Sequence, residues 1–247
     1  MHYNREDTIS ALATAHGSAA IAIVRLSGSK AIKIVESVFR DKQLKPKTLS
    51  DKPGNTVHFG YIAEGDYILD EVLVTLFKAP HSFTGEDSVE ISCHGSIFIQ
   101  QQLLLLLNKR GARLAHAGEF SMRAFMHGKV DLSQAEAIAD LVASQSATSH
   151  QVAMEQMRGG FSEKIRILRE HLLNFASLIE LELDFSEEDV EFANRDDLRN
   201  LLLTIDKLLR RLLDSFEVGN VIKNGIPVAI VGKPNAGKST LLNALLD

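Results

Sequence analysis

Residues 232–239 read Gly-Lys-Pro-Asn-Ala-Gly-Lys-Ser, which matches the phosphate-binding pattern G-x-x-x-x-G-K-[ST]. In this pattern the glycines let the backbone curl so that successive N–H groups point at phosphate oxygens. Lys238 would reach the β- and γ-phosphates, the Ser239 hydroxyl would bind Mg²⁺, and the N-terminus of the following helix would favour the anion. The string therefore predicts a nucleoside triphosphate site. Its predicted binding residues are Asn235, Ala236, Gly237, Lys238, Ser239 and Thr240.

The residues around this string fit a strand, a loop and a helix. Residues 226–231 (IPVAIV) predict an apolar strand with Pro227 near its start, and residues 239–246 (STLLNALL) predict an apolar helix. A phosphate-loop domain normally needs a doubly wound sheet of about 100–200 residues. We therefore expect residues 222–247 to be the incomplete start of a P-loop α/β domain, with the catalytic residues beyond residue 247. The segment that would separate guanine from adenine is expected there too, so this chain alone should show no appreciable nucleotide hydrolysis.

Composition restricts the class of protein. The chain has 45% hydrophobic and 24% charged residues and a net charge of −5, which is typical of a soluble globular protein with no global basic field. A nucleic-acid partner would need a local basic patch or a helper protein. A single cysteine excludes an internal disulfide framework and favours a reducing compartment. The polar start is no signal peptide, and the longest apolar run, 103–107, is too short for a membrane span, so we expect a cytoplasmic protein without membrane contact.

Residues 1–127 predict an α+β domain with antiparallel strand pairing rather than a βαβ repeat. A turn is expected at residues 64–66 (Glu-Gly-Asp). The predicted strands are 19–26, 57–63, 71–77, 88–93 and a short one at 113–115, and the predicted helices are 27–39 and 95–108.

Residues 128–221 predict an all-α helical-bundle domain. Ser133 and Glu136 fit a capping box at the start of a helix that reaches Arg158 and ends at two glycines. Two later helices carry apolar stripes at spacings of three and four, which predict an antiparallel bundle with ordinary core packing. The acid-rich stretch 184–197 between them is expected to be a solvated connection. The stripes are Ile165, Leu168, Leu172, Phe175 and Ile179, then Leu198, Leu201, Ile205, Leu208 and Leu212.

Three further strings carry a family resemblance. They are SFTGED at 82–87 followed by Glu90 and His94-Gly95, AGEFSMRAF at 117–125, and KVDLSQAEAIAD at 129–140. In this order, ahead of the phosphate loop, they resemble the MnmE (TrmE) family of tRNA-modifying GTPases over essentially the whole chain. The resemblance implies an N-terminal α+β domain similar to folate-dependent aminomethyltransferases, which also forms a homodimer. It implies a helical domain after it, with a Ras-like GTPase domain inserted into the helical domain.

The resemblance also implies an activity. Members of the family hydrolyse GTP and act with the FAD-dependent flavoprotein MnmG (GidA) in a heterotetramer. Together they add a (carboxymethyl)aminomethyl group to C5 of the wobble uridine of certain tRNAs. The one-carbon unit comes from a tetrahydrofolate, 5,10-methylenetetrahydrofolate, for which 5-formyltetrahydrofolate is an analogue.

Site residues follow from the same resemblance. Arg25, Glu90 and Lys129 match the folate contacts, since a carboxylate can accept N–H bonds from the amide-like pterin edge while Arg and Lys suit the glutamate tail and the one-carbon carbonyl. Without the resemblance each of the three reads as an ordinary surface charge. Asn235 matches a K⁺ ligand that would bring positive charge to the phosphates, although Asn is also a common turn residue.

The sequence leaves two alternatives open. The same phosphate loop would serve a GTP-switched ribosome-assembly or signalling factor without one-carbon chemistry, and the front half would then have no reason to bind folate. A front half that only dimerises is a third possibility. Cys93 and His94 do not form a nucleophile–base pair in our interpretation, because adjacent strand residues point to opposite faces, so Cys93 is predicted to be a small buried thiol.

Overall fold

The computed structural model describes residues 7–184, 194–224 and 228–246. The chain divides into two compact units, Met1–Ala135 (unit 1) and Glu136–Asp247 (unit 2). Our sequence-based domain limits at 127/128 and 221/222 stay predictions.

Unit 1 is built on a seven-stranded mixed sheet in the described residues, in the order β3-β4-β5-β6-β2-β1-β7. Neighbouring strands are antiparallel except β1 and β7, which are parallel. The predicted α+β class with mainly antiparallel pairing is confirmed. The strands are β1 Thr8–Leu12, β2 Ile21–Ser27, β3 Phe39–Arg40, β4 Thr56–Glu64, β5 Tyr67–Phe77, β6 Ser88–His94 and β7 Ala112–Leu114.

Three helices accompany the sheet: α1 Ala31–Val38, α2 Ile97–Lys109 and α3 Glu119–Met126. The main core forms where α1 and α2 pack on alternate residues of the central strands, and its members include Val24, Val35, Val74, Ile91 and Leu107. Because strand side chains alternate between faces, the neighbours of these buried strand residues lie on the other face of the sheet. That alternation places Arg25 on β2 and Glu90 on β6 outside the main core.

Several limits in unit 1 differ from the sequence prediction. The hairpin loop is only Gly65-Asp66, since Glu64 pairs with Tyr67, and β5 starts at Tyr67 rather than at 71. The first helix begins at Ala31 rather than 27 because Ser27 is the last residue of β2 and pairs with Ile9 of β1. Gly28 follows at φ +134, so close to Asp7 and Thr8 that a Cβ would lie 2.8 Å from them. Strand β1 itself was not predicted.

Unit 2 contains the helical bundle, and the predicted all-α domain is confirmed. Helices α5, α6 and α7 contact one another in pairs. Helix α4 spans the division between the units, and the last helix, α8, follows the phosphate loop. The ranges are α4 Leu132–Ala143, α5 Ala147–Met157, α6 Gly160–Asp184, α7 Arg195–Asn224 and α8 Lys238–Leu246.

The start of α4 corrects the predicted capping box. Asp131, not Ser133, is the cap: its Oδ1 accepts the Gln134 N–H at 2.8 Å, and Gln134 Oε1 accepts the Asp131 N–H at 2.9 Å. This Asp–Gln pair is the same reciprocal motif two residues earlier. The predicted single helix to Arg158 is also wrong, because Ser146 caps a new helix, α5, through a second box with Ser149.

The apolar stripes are only partly enclosed within the described residues. On α6 Phe175 is 8% exposed, while Ile165, Leu172 and Ile179 are 36–41% exposed. On α7 the side chains of Leu198, Leu201, Ile205 and Leu208 are half-buried. The Leu212 side chain and residues 185–193 of the acid-rich connection lie outside what the structure describes. Ordinary core packing is therefore found at Phe175 but not along the whole predicted seam.

The predicted strand before the phosphate loop is not formed in the part that the structure describes. Residues 225–227 lie outside that part, and residues 228–231 have no strand structure, with Val228 81% and Val231 91% exposed. A strand needs a neighbouring strand to satisfy its backbone groups, and none of the described residues supplies one here. The predicted helix after the loop is confirmed as α8. Among the described residues, no helix combines the length and hydropathy needed to span a membrane.

We predict that Leu107→Ala lowers the free energy of unfolding of unit 1 by about 2–5 kcal/mol, since Leu107 is fully buried and its truncation leaves a cavity. The matched control is Leu105→Ala on the same helix, where Leu105 is 56% exposed and the expected cost is about 0.5 kcal/mol or less. The measurement is urea unfolding followed by tyrosine fluorescence, because all three tyrosines lie in residues 1–135 and the chain has no tryptophan. Equal losses for both variants would contradict the described packing of α2.

Candidate functional site

Arg25 and Glu90, two of the predicted folate contacts, form an ion pair across neighbouring strands. The register of β2 and β6 places them directly opposite each other. Arg25 donates to Glu90 Oε1 from Nε at 2.8 Å and from Nη2 at 2.7 Å, and the two side chains are 29% and 24% exposed. Glu90 Oε2 accepts no hydrogen bond from any of the described residues, so a carboxylate oxygen remains available next to a fixed guanidinium.

Two phenyl rings flank this ion pair. The Arg25 Cζ atom lies 5.4 Å from the centroid of the Phe83 ring and 5.7 Å from that of Phe120. Both distances are those of cation–π contacts. Phe83 belongs to the loop of residues 78–87 between β5 and β6, and Phe120 to α3. The rings restrict the Arg25 side chain and give the partly exposed pair an apolar border.

Lys129, the third predicted folate contact, lies against the 78–87 loop. Its Nζ donates to the Pro80 carbonyl at 3.0 Å. Its aliphatic stem packs on Gly85, whose φ is +80 and where an added Cβ would lie 3.2 Å from Lys129 Cγ. The structure therefore brings Arg25 and Glu90 into direct contact and relates Lys129 to them through the loop that carries Phe83.

Five charged residues form a buried or partly buried cluster that includes members of this loop and of α3. We call it the charge cluster; it consists of Asp7, Glu86, Arg113, Glu119 and Arg123. Arg123 and Glu119 are each 1% exposed, and both belong to α3. Arg123 donates to Glu86 at 3.1 and 3.2 Å, to Glu119 at 3.2 Å, and to the Asp7 carboxylate. Arg113 completes the cluster by donating to Asp7 at 2.7 Å and to both Glu119 oxygens at 2.6 and 3.0 Å.

The hydrogen bonds in the charge cluster keep two of its acids, Asp7 and Glu119, ionised. Burial by itself would raise the pKa of Glu119, but hydrogen bonds from Arg113, from the His116 backbone N–H and from Arg123 lower that pKa to about 2. Burial likewise opposes ionisation of Asp7, and the bonds from Arg113 and Arg123 lower its pKa below the usual value. Both groups are therefore carboxylates at neutral pH.

The charge cluster connects the elements that surround Arg25. Glu86 lies in the same loop as Phe83 and accepts from the Ser27 hydroxyl, at the end of β2, at 2.6 Å. Arg123 lies one helical turn after Phe120 on α3, so one buried guanidinium holds the loop and the helix that carry the two flanking rings. The rings' contact with Arg25 was missed by sequence reasoning. The signal was present only as neighbouring motif strings, which contain Phe83 and Phe120.

Two residues of the phosphate-loop sequence, residues 232–239, have a left-handed backbone. Asn235 and Gly237 have φ of +61 and +82, a conformation that Asn and Gly adopt most easily. Helix α8 begins at Lys238, and Lys238 Nζ donates to the carbonyls of Gly232 at 2.9 Å and Lys233 at 2.8 Å. The loop residues are exposed except for the half-buried Lys238. Ser239 and Thr240 occupy the first turn of α8, where a phosphate would meet the helix N-terminus.

Metal binding at the loop would depend on few protein atoms. Within the residues that the structure describes, no group of three or more His, Cys, Asp or Glu side chains is arranged to hold a metal ion. The Ser239 hydroxyl and the Asn235 amide oxygen are suitable oxygen ligands, and the phosphates of a bound nucleotide would supply the others.

Cys93 and His94 point to opposite faces, as predicted. Cys93 is 3% exposed, and burial, followed by the nearby Asp70 carboxylate, raises the pKa of its thiol to about 11. The exposed His94 donates from Nδ1 to Asp70 at 2.7 Å, and this hydrogen bond raises the pKa of the imidazole. The prediction of a small buried thiol is confirmed.

Two family models cover most of the chain. Residues 8–129 match the model described as the GTP-binding protein TrmE N-terminus, and residues 132–238 match the MnmE helical domain. The chain belongs to the MnmE (TrmE) family. The resemblance inferred from the three motif strings is thereby confirmed, and the first model contains Arg25, Glu90 and Lys129.

Curated relatives of the MnmE family extend the comparison. The chain is 62% identical over 242 residues to the tRNA modification GTPase MnmE of Flavobacterium johnsoniae, covering 98% of this chain and 52% of that protein. It is 61% identical over 241 residues to the protein of the same name from Christiangramia forsetii, covering 98% and 50%. For Bacteroides fragilis the identity is 59% over 242 residues, covering 98% and 52%. The chain thus spans about half the length of the curated relatives it matches.

We predict that Arg123→Met lowers the free energy of unfolding of unit 1 by about 3–5 kcal/mol, because it leaves buried carboxylates without their partner. The control is Lys109→Met, which removes an exposed ion pair with Glu64 at 3.4 Å and should cost about 1 kcal/mol or less. Tyrosine-monitored urea unfolding measures both. If Arg123→Met were no worse than Lys109→Met, the charge cluster would not stabilise the unit as described.

Proposed function

We propose that this MnmE-family chain takes part in GTP-dependent modification of tRNA, with a reduced-folate site at Arg25 and Glu90 and a GTP site at residues 232–240. The observation that carries the proposal is the occurrence in one chain of a phosphate-loop sequence, whose Asn235 and Gly237 have positive φ, and of an aromatic-flanked carboxylate–guanidinium pair. Support comes from relatives about 60% identical, which are named tRNA modification GTPases.

At the folate site the proposed contacts follow from chemistry. Glu90 Oε2 would accept N–H bonds from the pterin edge, while Oε1 stays bound to Arg25. Lys129 would attract the glutamate tail or the one-carbon carbonyl. The proposed cofactor is 5,10-methylenetetrahydrofolate, which supplies a one-carbon unit when bound. This chain's residues bind and orient it, and the rings of Phe83 and Phe120 limit water at the pair.

At the phosphate loop the proposed change is local. Lys238 would exchange the carbonyls of Gly232 and Lys233 for the β- and γ-phosphates of GTP. Ser239 would bind Mg²⁺, and Asn235 would bind K⁺ near the developing charge. GTP binding and hydrolysis would then drive a conformational cycle rather than supply chemical energy to the base.

The proposed assembly follows the family. We propose a homodimer through the N-terminal domain, acting in the cytoplasm with the flavoprotein MnmG on tRNA. The product would be a (carboxymethyl)aminomethyl group on C5 of the wobble uridine. The rival is a GTP-switched ribosome-assembly or signalling factor, and it differs in one measurable property: it has no reason to bind folate.

We predict that Glu90→Gln weakens binding of 5-formyltetrahydrofolate at least ten-fold, about 1.4 kcal/mol, because a neutral amide no longer pairs with both Arg25 and the ligand. The control is Glu71→Gln on β5, an exposed carboxylate on the same face of the sheet. Isothermal titration calorimetry measures both affinities. A protein that binds no reduced folate would favour the switch factor or a simple dimerisation module.

We predict that Lys238→Ala abolishes binding of a fluorescent GTP analogue and removes the wobble-uridine modification from tRNA. Lys233→Ala, in the same loop but outside the phosphate-contacting position, should retain both. The substitutions are introduced into the chromosomal gene, so that the protein as the cell makes it carries them, and the modified nucleoside is measured by mass spectrometry of digested tRNA. Unchanged modification with Lys238→Ala would count against a GTP-driven cycle.

A further inference from the structure

We propose that a basic groove at the β3–β4 edge of unit 1 binds the phosphate backbone of a single-stranded segment of RNA, with Phe59 as a stacking surface for a base. The inference deepens the proposed function and rests on it, because tRNA is the proposed substrate. The groove is formed by residues 41–43, by Lys47 and by residues 57–59 in the first half of β4, and it involves none of the residues assigned to folate or GTP.

The groove is a surface cavity of about 390 Å³, walled by residues 41–43, Lys47 and residues 57–59. A volume of this size is at the lower end of those that hold small ligands. It is open to solvent, which suits a segment of a polymer that enters and leaves along the surface. The walls combine ammonium groups with a phenyl ring and an imidazole. Proteins that bind single-stranded nucleic acids use cations and aromatic rings in this way.

In the loop of residues 41–45 the Asp41 carboxylate is hydrogen-bonded to the loop's own backbone, and the lysines are exposed. Asp41 Oδ1 accepts the backbone N–H of Gln43 at 2.8 Å and of Lys45 at 2.9 Å, and the Asp41 N–H donates to the Lys45 carbonyl at 2.9 Å. Leu44 takes a positive φ of 60, which closes the turn. Lys42 and Lys45 are exposed as a result, and the carboxylate is oriented towards the backbone.

The charge of this segment is opposite to that of the chain. Residues 40–59 contain five basic side chains and two acidic ones, which gives +3, whereas the whole chain carries −5. Of the two acids, Asp41 is hydrogen-bonded within its turn and Asp51 pairs with Lys52 at 3.2 Å. A local basic patch of this kind is what an otherwise acidic protein needs to attract RNA.

Aromatic rings alternate with these cations. Lys42 Nζ lies 5.2 Å from the Phe59 ring centroid, and Lys47 Nζ lies 5.9 Å from that of Phe39. Phe59 also meets Tyr61 edge-on at 6.1 Å, which fixes its ring plane. The Phe39 ring is buried, so the half-buried Phe59 is the ring on which a base can stack without sequence preference, while adjacent cations meet the phosphates.

The neighbouring imidazole reports the same positive environment. Lys47 Nζ lies 3.4 Å from His58 Nδ1. Burial, together with the charges of Lys47 and Lys52, lowers the pKa of His58. Thr56 Oγ1 lies 3.0 Å from His58 Nε2. Both ring nitrogens therefore have protein partners, so His58 forms part of the groove wall and is assigned no nucleotide contact.

The cations do not converge on one group. Lys42 Nζ lies over the Phe59 ring and Lys47 Nζ over the Phe39 ring, while Lys45 lies between them in sequence and Lys52 follows them. A single phosphate ion would need convergent donors, whereas a strand with regularly spaced phosphates matches separated ones. This distribution favours an RNA strand over a free phosphate or mononucleotide.

The test measures binding of a fluorescently labelled twelve-residue oligouridylate to the whole chain by anisotropy, at several salt concentrations. The double variant Lys42→Gln/Lys47→Gln should weaken binding about ten-fold and reduce the log–log salt slope by about 1.4, which corresponds to two phosphate contacts on a single strand. Phe59→Leu should weaken binding while leaving the salt slope unchanged, because it removes stacking and no charge. The control is Lys109→Gln, an exposed lysine of the same unit outside the groove.

Several outcomes would overturn the proposal. The first is a wild-type chain that binds no oligouridylate, and the second is a double variant whose affinity equals that of Lys109→Gln. The third is displacement of the RNA by inorganic phosphate or by uridine monophosphate, each added at the same millimolar concentration. If the double variant lost binding to phosphatidylserine vesicles but kept its affinity for RNA, the groove would be assigned to membranes instead. Tyrosine-monitored unfolding verifies that the variants fold. Titration with 5-formyltetrahydrofolate separates this proposal from the folate site, whose affinity should be unchanged in the double variant.

Discussion

The buried guanidinium of Arg123 is the constraint on which the rest of unit 1 depends. Its three carboxylate partners come from distant parts of the sequence: Asp7 precedes β1, Glu86 lies in the loop before β6, and Glu119 starts α3. Buried charges are costly unless every partner is in position, so a fold that misplaces one of these elements leaves an unpaired ion in the interior. Apolar contacts could give similar stability, but they would tolerate sliding of the loop and of α3, whereas directional bonds do not.

That constraint determines what the sheet can present to a ligand. The face of the sheet that α1 and α2 cover is closed by ordinary apolar packing, and the opposite face carries Arg25 and Glu90 in register. The charge cluster then fixes the loop and helix whose rings border the pair. The site is thus assembled from three levels of structure: strand alternation selects the face, register forms the pair, and buried ionic contacts hold its border.

Most features of the fold and of the candidate site that depend on neighbouring residues could be predicted from the sequence, whereas features that depend on distant residues could not. Strands β2 and β6 and helix α2 follow from alternation or from a continuous apolar run, and the phosphate loop follows from glycine chemistry, so their positions were predicted closely. The Arg25–Glu90 contact was not predictable as a contact, because register between strands 65 residues apart depends on the whole sheet. The break before α5 was missed since serine side chains there compete for backbone N–H groups. The strand at 226–231 was predicted from composition, but a strand exists only when paired.

The protonated state of Cys93 has a practical consequence. It is the only cysteine in 247 residues, it is buried, and a thiol with a pKa near 11 holds almost no thiolate at neutral pH. Alkylating dyes and mild oxidants should therefore react with Cys93 very slowly. A cysteine placed on an exposed turn of α6 or α7 would become the sole reactive thiol of these 247 residues, so fluorophores or spin probes can be attached to them while Cys93 is retained.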